Sequence, residues 1–188
     1  WGPVLERTQI STENDLVNTF GKPDDTTKCH FWTGANFLAY ANNLIVVRNV
    51  SANAKNSVVG DDDAGTAVLV KNEDHYDSLT FTDQLFVAKY PGALGNSLKV
   101  QAIDVNGWAD DTVNTVFKEN FDRAPGTSTD VANANGSASF TANDEMHIIV
   151  IDEDGLWTGT PGYVLEKHAF VSKASDAKKI DGSSNYVV

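Results

Sequence analysis

The chain has 188 residues, a hydrophobic share of 41% and a formal charge of −12, enough apolar material for one domain or two small ones. Its 14 Lys and Arg against 26 Asp and Glu argue against a phosphate-backbone binder, which works through clustered cations that release counterions. No apolar run approaches a membrane span, the start has no secretion-signal pattern, and the lone Cys29 leaves no internal disulfide and no cysteine-only metal site.

In chain order, ISTENDLVNTFGKP (10–23) predicts a short helix. Ser11 or Thr12 can accept from the free N–H groups of its first turn, and Glu13 and Asp15 suit the positive end of the helix dipole. Leu16, Val17 and Phe20 form one apolar stripe, Gly21 suits the left-handed position past the helix end, and Pro23 stops continuation. FWTGANFLAYANN (31–43) predicts a second helix with Phe31, Ala35, Leu38 and Asn42 on one face. Trp32, Phe37 and Ala39 widen its apolar part, so little of it is expected to meet water. LIVVRNV (44–50) has the β-branched pattern of a strand buried on both faces. Phe31, Leu38, Val46 and Val47 are expected to be core residues.

Residues 51–65 are small, polar and acidic, and read as a connection. Strand-like runs follow: TAVLV (66–70), LFVAKY (85–90), SLKVQAIDV (97–105), MHIIVID (146–152) and YVLEKHAFV (163–171). In SLKVQAIDV, Leu98, Val100, Ala102 and Asp104 alternate with Lys99, Gln101 and Ile103. The stretch 123–140 is loop-like, with a helical turn at 128–134. The class is α+β: helix–helix–strand over the first 50 residues or so, then a β-rich part with mostly antiparallel strands.

The most chemically suggestive stretch is IDEDGLWTG (151–159), with Asp152, Glu153 and Asp154 beside Gly155. A helix-flanked calcium loop needs alternating acidic oxygens, a glycine and a later bidentate Glu. Here Leu156, Trp157, Thr158 and Gly159 follow, and both flanks are strand-like. A turn on Glu153, Asp154 and Gly155 between antiparallel strands satisfies each residue. That turn places Asp154 and Gly155 at positive φ, leaves the carboxylates in water and binds no metal. GDDDAG (60–65) is expected to be a solvated loop. His30, His75, His147 and His168 fall in no metal-ligand spacing. His147 and His168 lie on candidate neighbouring strands, where packing is expected over a two-histidine metal pair. GTPG (159–162) and PGALGN (91–96) lack the Lys-Ser/Thr of a phosphate loop, and GTSTD (126–130) is no nucleophile elbow. No catalytic, metal or cofactor-binding residue is expected, and the role is non-catalytic. A rival from another class is a secreted, calcium-stabilised carbohydrate-binding β-domain using Trp108 and Trp157; a metal-assisted hydrolase around His147 and His168 is a third.

A resemblance links several of these stretches. WGP (1–3), NDLVNTFGKP (14–23), ANFLAYANNLIVVRNV (35–50) and AKNS (54–57) occur in order with VAKYPGALGNSLKV (87–100) and with residues 144–188, from DEMHIIVIDEDGLWTG onward. Together they resemble the tail sheath proteins of contractile, T4-like bacteriophages. The resemblance implies a structural protein without an active site or cofactor. Its copies would stack as hexameric rings in a helix around the tail tube, then shorten to drive the tube through the host envelope. Implied partners are other sheath copies, the tail tube protein, the baseplate and the tail terminator, with no nucleic acid and no membrane insertion. The implied location is the virion tail, assembled in the host cytoplasm. Residues 1–53 would be the N-terminal part of an inner α/β domain completed by a C-terminal part, and 54–188 a β-rich middle domain. The start on Trp1 and the unfinished strand SNYVV (184–188) suggest a truncated piece, expected to be a monomer or a weak oligomer.

Overall fold

The computed structural model describes residues 1–60, 65–110, 115–137, 139–179 and 181–186, with the backbone alone at 115 and 116. Internal contacts form two compact units, Trp1–Asn96 and Ser97–Val188. The expected division at 53/54 falls inside the first. All pairings between the named strands below are antiparallel, giving the α+β fold expected.

In the first unit, β1 (Thr8–Ile10) leads into α1 (Glu13–Phe20), α2 (Lys28–Leu38) and β2 (Leu44–Val46). Thr12 caps α1 in a closed box: its Oγ1 accepts from Asp15 N–H (3.1 Å), and Asp15 Oδ2 accepts from Thr12 N–H (3.0 Å). Thr12→Ala removes one arm of the box and is expected to cost about 1 kcal/mol of stability in urea melts. Gly21 takes positive φ (87°) as expected, but with ψ 171° it lies outside the left-handed helical region.

The core of this layer is Ile10, Leu16, Phe31 and Ala35, with Val17, Phe20, Leu38, Leu44 and Val46 packed against it. Register explains the pattern: Ile10 pairs with Leu44 and Thr8 with Val46, so alternate residues of the β1–β2 ribbon turn towards the helices. The others turn away, which corrects two expectations. Val47 is 53% exposed and Ile45 43% exposed, because a two-stranded ribbon is covered on one face only. The second helix starts at Lys28 rather than Phe31 and ends at Leu38, before Asn42. Only its Phe31–Ala35 stripe is buried; Trp32, Phe37 and, just beyond, Tyr40 are exposed.

Further along, β3 (Val58–Gly60) pairs with β4 (Gln84–Val87), and α3 (Glu73–Asp77) lies between them in sequence. TAVLV (66–70), expected as a strand, is not one. The buried Asn56 takes over its pairing: Asn56 N–H donates to the Val68 carbonyl (2.8 Å), and Asn56 Oδ1 accepts from Val70 N–H (2.8 Å). A side chain thus replaces the strand ladder.

The second unit holds β5 (Leu98–Ile103), α4 (Val105–Ala109), α5 (Thr115–Lys118), α6 (Thr129–Ala134), β6 (Glu145–Asp152) and β7 (Tyr163–Ser172). The sheet order is β5–β6–β7. Ser128 caps α6, close to the predicted helical turn. Asp104, expected on a strand face, instead caps α4: its Oδ1 accepts from the N–H groups of Asn106 (3.0 Å) and Gly107 (2.9 Å). Ile103, Phe121, Ile149 and Ile151 form the core, with Trp108, Phe117 and Val164 against it. β7 is an edge strand carrying Glu166, Lys167 and His168 exposed.

Candidate functional site

β6 and β7 are joined by residues 153–162, and the acidic trio at the junction is divided by environment. Asp152, the last residue of β6, is fully buried and turned inward. The Ser97 hydroxyl donates to its Oδ1 (2.6 Å). The N–H groups of Trp157 (3.0 Å) and Thr158 (2.8 Å) and the Thr158 hydroxyl (2.9 Å) donate to Oδ2. Ser97 Oγ in turn accepts from Asp154 N–H (3.2 Å) and Leu156 N–H (3.4 Å). Burial pushes the Asp152 carboxyl up, but the hydrogen bonds from Ser97, Thr158 and Trp157 outweigh it and hold the pKa below the usual carboxylate value. Glu153 and Asp154 are exposed, and Glu153 pairs with Lys99 (2.7 Å) at the surface. The expectation of three solvated carboxylates is therefore corrected at Asp152.

Gly155 has φ +75°, as expected, whereas Asp154 is not at positive φ. The connection is longer than a two-residue hairpin turn and carries three glycines at positive φ, Gly155, Gly159 and Gly162. Both Asp152 oxygens are engaged, Oδ1 by Ser97 and Oδ2 by Trp157 and Thr158 of the connection. Among the described residues no group of three or more His, Cys, Asp or Glu is placed to hold a metal. Of GDDDAG, residues 61–64 lie outside the described residues. The melting temperature is expected to be equal in millimolar calcium and in chelator, since a cation bound only by the folded chain would raise it.

The histidines do not converge. His30 is exposed on α2, and His75 Nδ1 accepts from Lys71 N–H (3.2 Å). His168 stands opposite Ile148 at the surface, with Nε2 3.3 Å from Glu166 Oε2. His147 is fully buried: it stacks on Phe121 (ring centroids 4.1 Å, interplanar 6°) and meets Trp108 (5.7 Å) and Phe170 (4.6 Å) edge-on. Sequence reasoning did not find the partners of His147, which come from far along the chain. The one local signal was a lone His inside the apolar run MHIIVID. Trp108, proposed for sugar stacking, belongs to this cluster, and Trp157 is half-buried with its N–H on Asp152.

The first unit leaves several large apolar side chains exposed. Trp32, Phe37 and Tyr40 on and after α2, and Ile45 and Val47 on and after β2, are all more than two-fifths exposed.

Comparison with known proteins gives these features a context. The tail sheath protein of Salmonella phage ViI is 30% identical over 166 residues, covering 87% of this chain and 23% of the relative. The tail sheath proteins of Enterobacteria phage T4 and Vibrio phage KVP40 are each 50% identical over shorter stretches of 58 and 48 residues, or 30% and 26% of this chain and 9% and 7% of the relatives. No protein-family profile and no solved structure matches the chain. The class is that of a phage virion structural protein. Within it, the chain belongs to the tail sheath family, and it spans less than a quarter of the length of the ViI relative.

Proposed function

We propose that the chain is part of a subunit of a contractile tail sheath, whose copies surround the tail tube as stacked hexameric rings and shorten to drive the tube through the host envelope. The observation that carries this is the ViI match, which runs through 87% of the chain rather than one motif. The role is mechanical and non-catalytic. It needs rigid bodies with exchangeable contacts, which suits two compact units with separate cores. In this reading residues 1–53 belong to an inner domain and 54–188 to a middle domain. The exposed side chains of α2 and β2 are then covered by further sheath polypeptide. Other sheath copies, the tube protein, the baseplate and the tail terminator are the partners, and the site of assembly is the host cytoplasm.

Immunogold labelling tests this reading. Antibodies raised against the 188-residue chain are expected to decorate phage tails along the whole sheath, and to remain on the shortened sheath after contraction. Label confined to the head, the tube or the baseplate would overturn it.

A further inference from the structure

β6 and β7 fall out of step at His147. Between the pairs Met146↔Val171 and Ile148↔His168, the single residue His147 faces two, Ala169 and Phe170, so β7 carries a bulge there. Phe170 occupies the left-handed region (φ +58°), a conformation that costs an aromatic residue energy and persists only where its surroundings hold it. The holders are visible. Phe170 N–H donates to His147 Nδ1 (3.0 Å), and the Arg123 guanidinium lies 4.0 Å from the centre of the Phe170 ring. The Phe170 carbonyl accepts from Asn185 Nδ2 (2.6 Å). Asn185 is further tied by its carbonyl to Ser172 N–H (2.8 Å) and by its N–H to the Ala177 carbonyl (2.9 Å), and Tyr186 bridges Ser172. The bulge therefore anchors the segment around residue 185.

His147 can act as acceptor in only one state. Its Nε2 lies 3.0 Å from the Arg123 carbonyl, which can only accept, so the ring proton sits on Nε2 and Nδ1 keeps its lone pair for Phe170. We propose that His147 is a proton-operated latch: neutral, it holds the Phe170 bulge and through it the segment carrying Asn185; protonated on Nδ1, it releases both. A proton on Nδ1 sets N–H against N–H, removes the acceptor of a backbone donor, and places a positive charge in an apolar sandwich 4.1 Å from the Phe121 ring centre.

The charged groups on the elements packed around the ring are Glu145 on β6, Arg123 after Phe121, Asp104 at the head of α4, and Glu166, Lys167 and His168 on β7. Glu145 and Arg123 act on it with opposite sign, and Glu145 is already paired with Arg123 (3.2 Å). Burial, the largest influence, lowers the folded pKa below 6.5 despite the Arg123 carbonyl. The unlatched state therefore binds more protons than the latched one. The latch is fully closed above pH 6.5 or so, and opening gains up to about tenfold per pH unit as pH falls from there towards the folded pKa.

The test is nitrogen NMR and amide exchange on the 15N-labelled 188-residue chain between pH 8 and pH 4, values chosen to bracket the ordinary histidine range. The expected result is an Nε2–H tautomer at neutral pH. Exchange at Phe170, Asn185 and Tyr186, corrected for intrinsic rates, then rises in step with His147 protonation while Ile149 stays protected. In His147→Gln, whose amide can accept and donate without titrating, that rise is expected to vanish. Protonation of His147 without a change at Phe170 and residues 185–186 would overturn the latch. So would a ring that stays neutral until the whole unit unfolds, or an Nδ1–H tautomer. These three readouts come from the unaltered chain and stand whether or not the variant folds.

Discussion

Asp152→Asn is expected to destabilise the second unit by about 3 kcal/mol, the cost of turning donors against a group that can no longer accept from all of them. The carboxylate gathers four hydrogen bonds from Ser97, Trp157 and Thr158. An amide keeps one accepting oxygen and presents an NH2 to the rest. Asp154→Asn, one turn of the loop away and exposed, is expected to stay within about 0.5 kcal/mol. Urea melts of the two variants at pH 7 separate the roles; equal midpoints would mean that the buried carboxylate does not organise the loop. The difference also carries a pH signature. The folded Asp152 carboxyl lies below its usual 3.8, so below that value the unfolded chain binds more protons than the folded one. Its contribution is complete above pH 3.8 or so and is lost as pH falls through the lower folded value. The advantage of the unaltered chain over Asp152→Asn should therefore shrink in strong acid.

Gly155→Val is the second large effect, also about 3 kcal/mol, from two sources that act together. At φ +75° a β-branched residue is strained. A Cβ at this position would also lie 2.7 Å from Pro161 N and 2.8 Å from Pro161 Cδ, a ring that cannot rotate away. Gly155→Ala isolates the cost of the branch, because it keeps the overlap and most of the φ penalty. It is expected to fall between the parent and Gly155→Val in thermal melts. Two melts indistinguishable from the parent would show that the loop reverses elsewhere.

These residues show what the linear sequence reveals and where it stops. Thr12 and Asp15, Ser128 before α6, and the apolar runs of β6 and β7 act through neighbours within a few positions, and their elements were legible. So was the need for positive φ at Gly155. The burial of Asp152 is not legible from its neighbours: one of its partners, Ser97, is 55 positions away, and the donors five and six residues on reach it only once the loop has folded back. Likewise, TAVLV has a strand's composition, but its bonding is set by Asn56, and Asp104 fits a strand's alternation until its carboxylate is seen capping a helix. Val47 failed for a different reason. Its apolar character was read as burial, while the ribbon it extends has only one covered face. Asp152 and His147, the residues of the two suggestive motifs, carry structural tasks in the fold: a loop-building carboxylate and a bulge-holding imidazole.

The open edge of β7 has a further consequence. Along it Glu166, Lys167 and His168 are exposed, on alternating faces of the strand. A strand arriving from another molecule would have to strip solvent from a carboxylate and an ammonium at adjacent positions before gaining a single ladder bond. Crowded copies of this unit are thereby kept from zipping together edge to edge. High local concentration then favours amyloid-like clumping less, and the choice of neighbour is left to other surfaces.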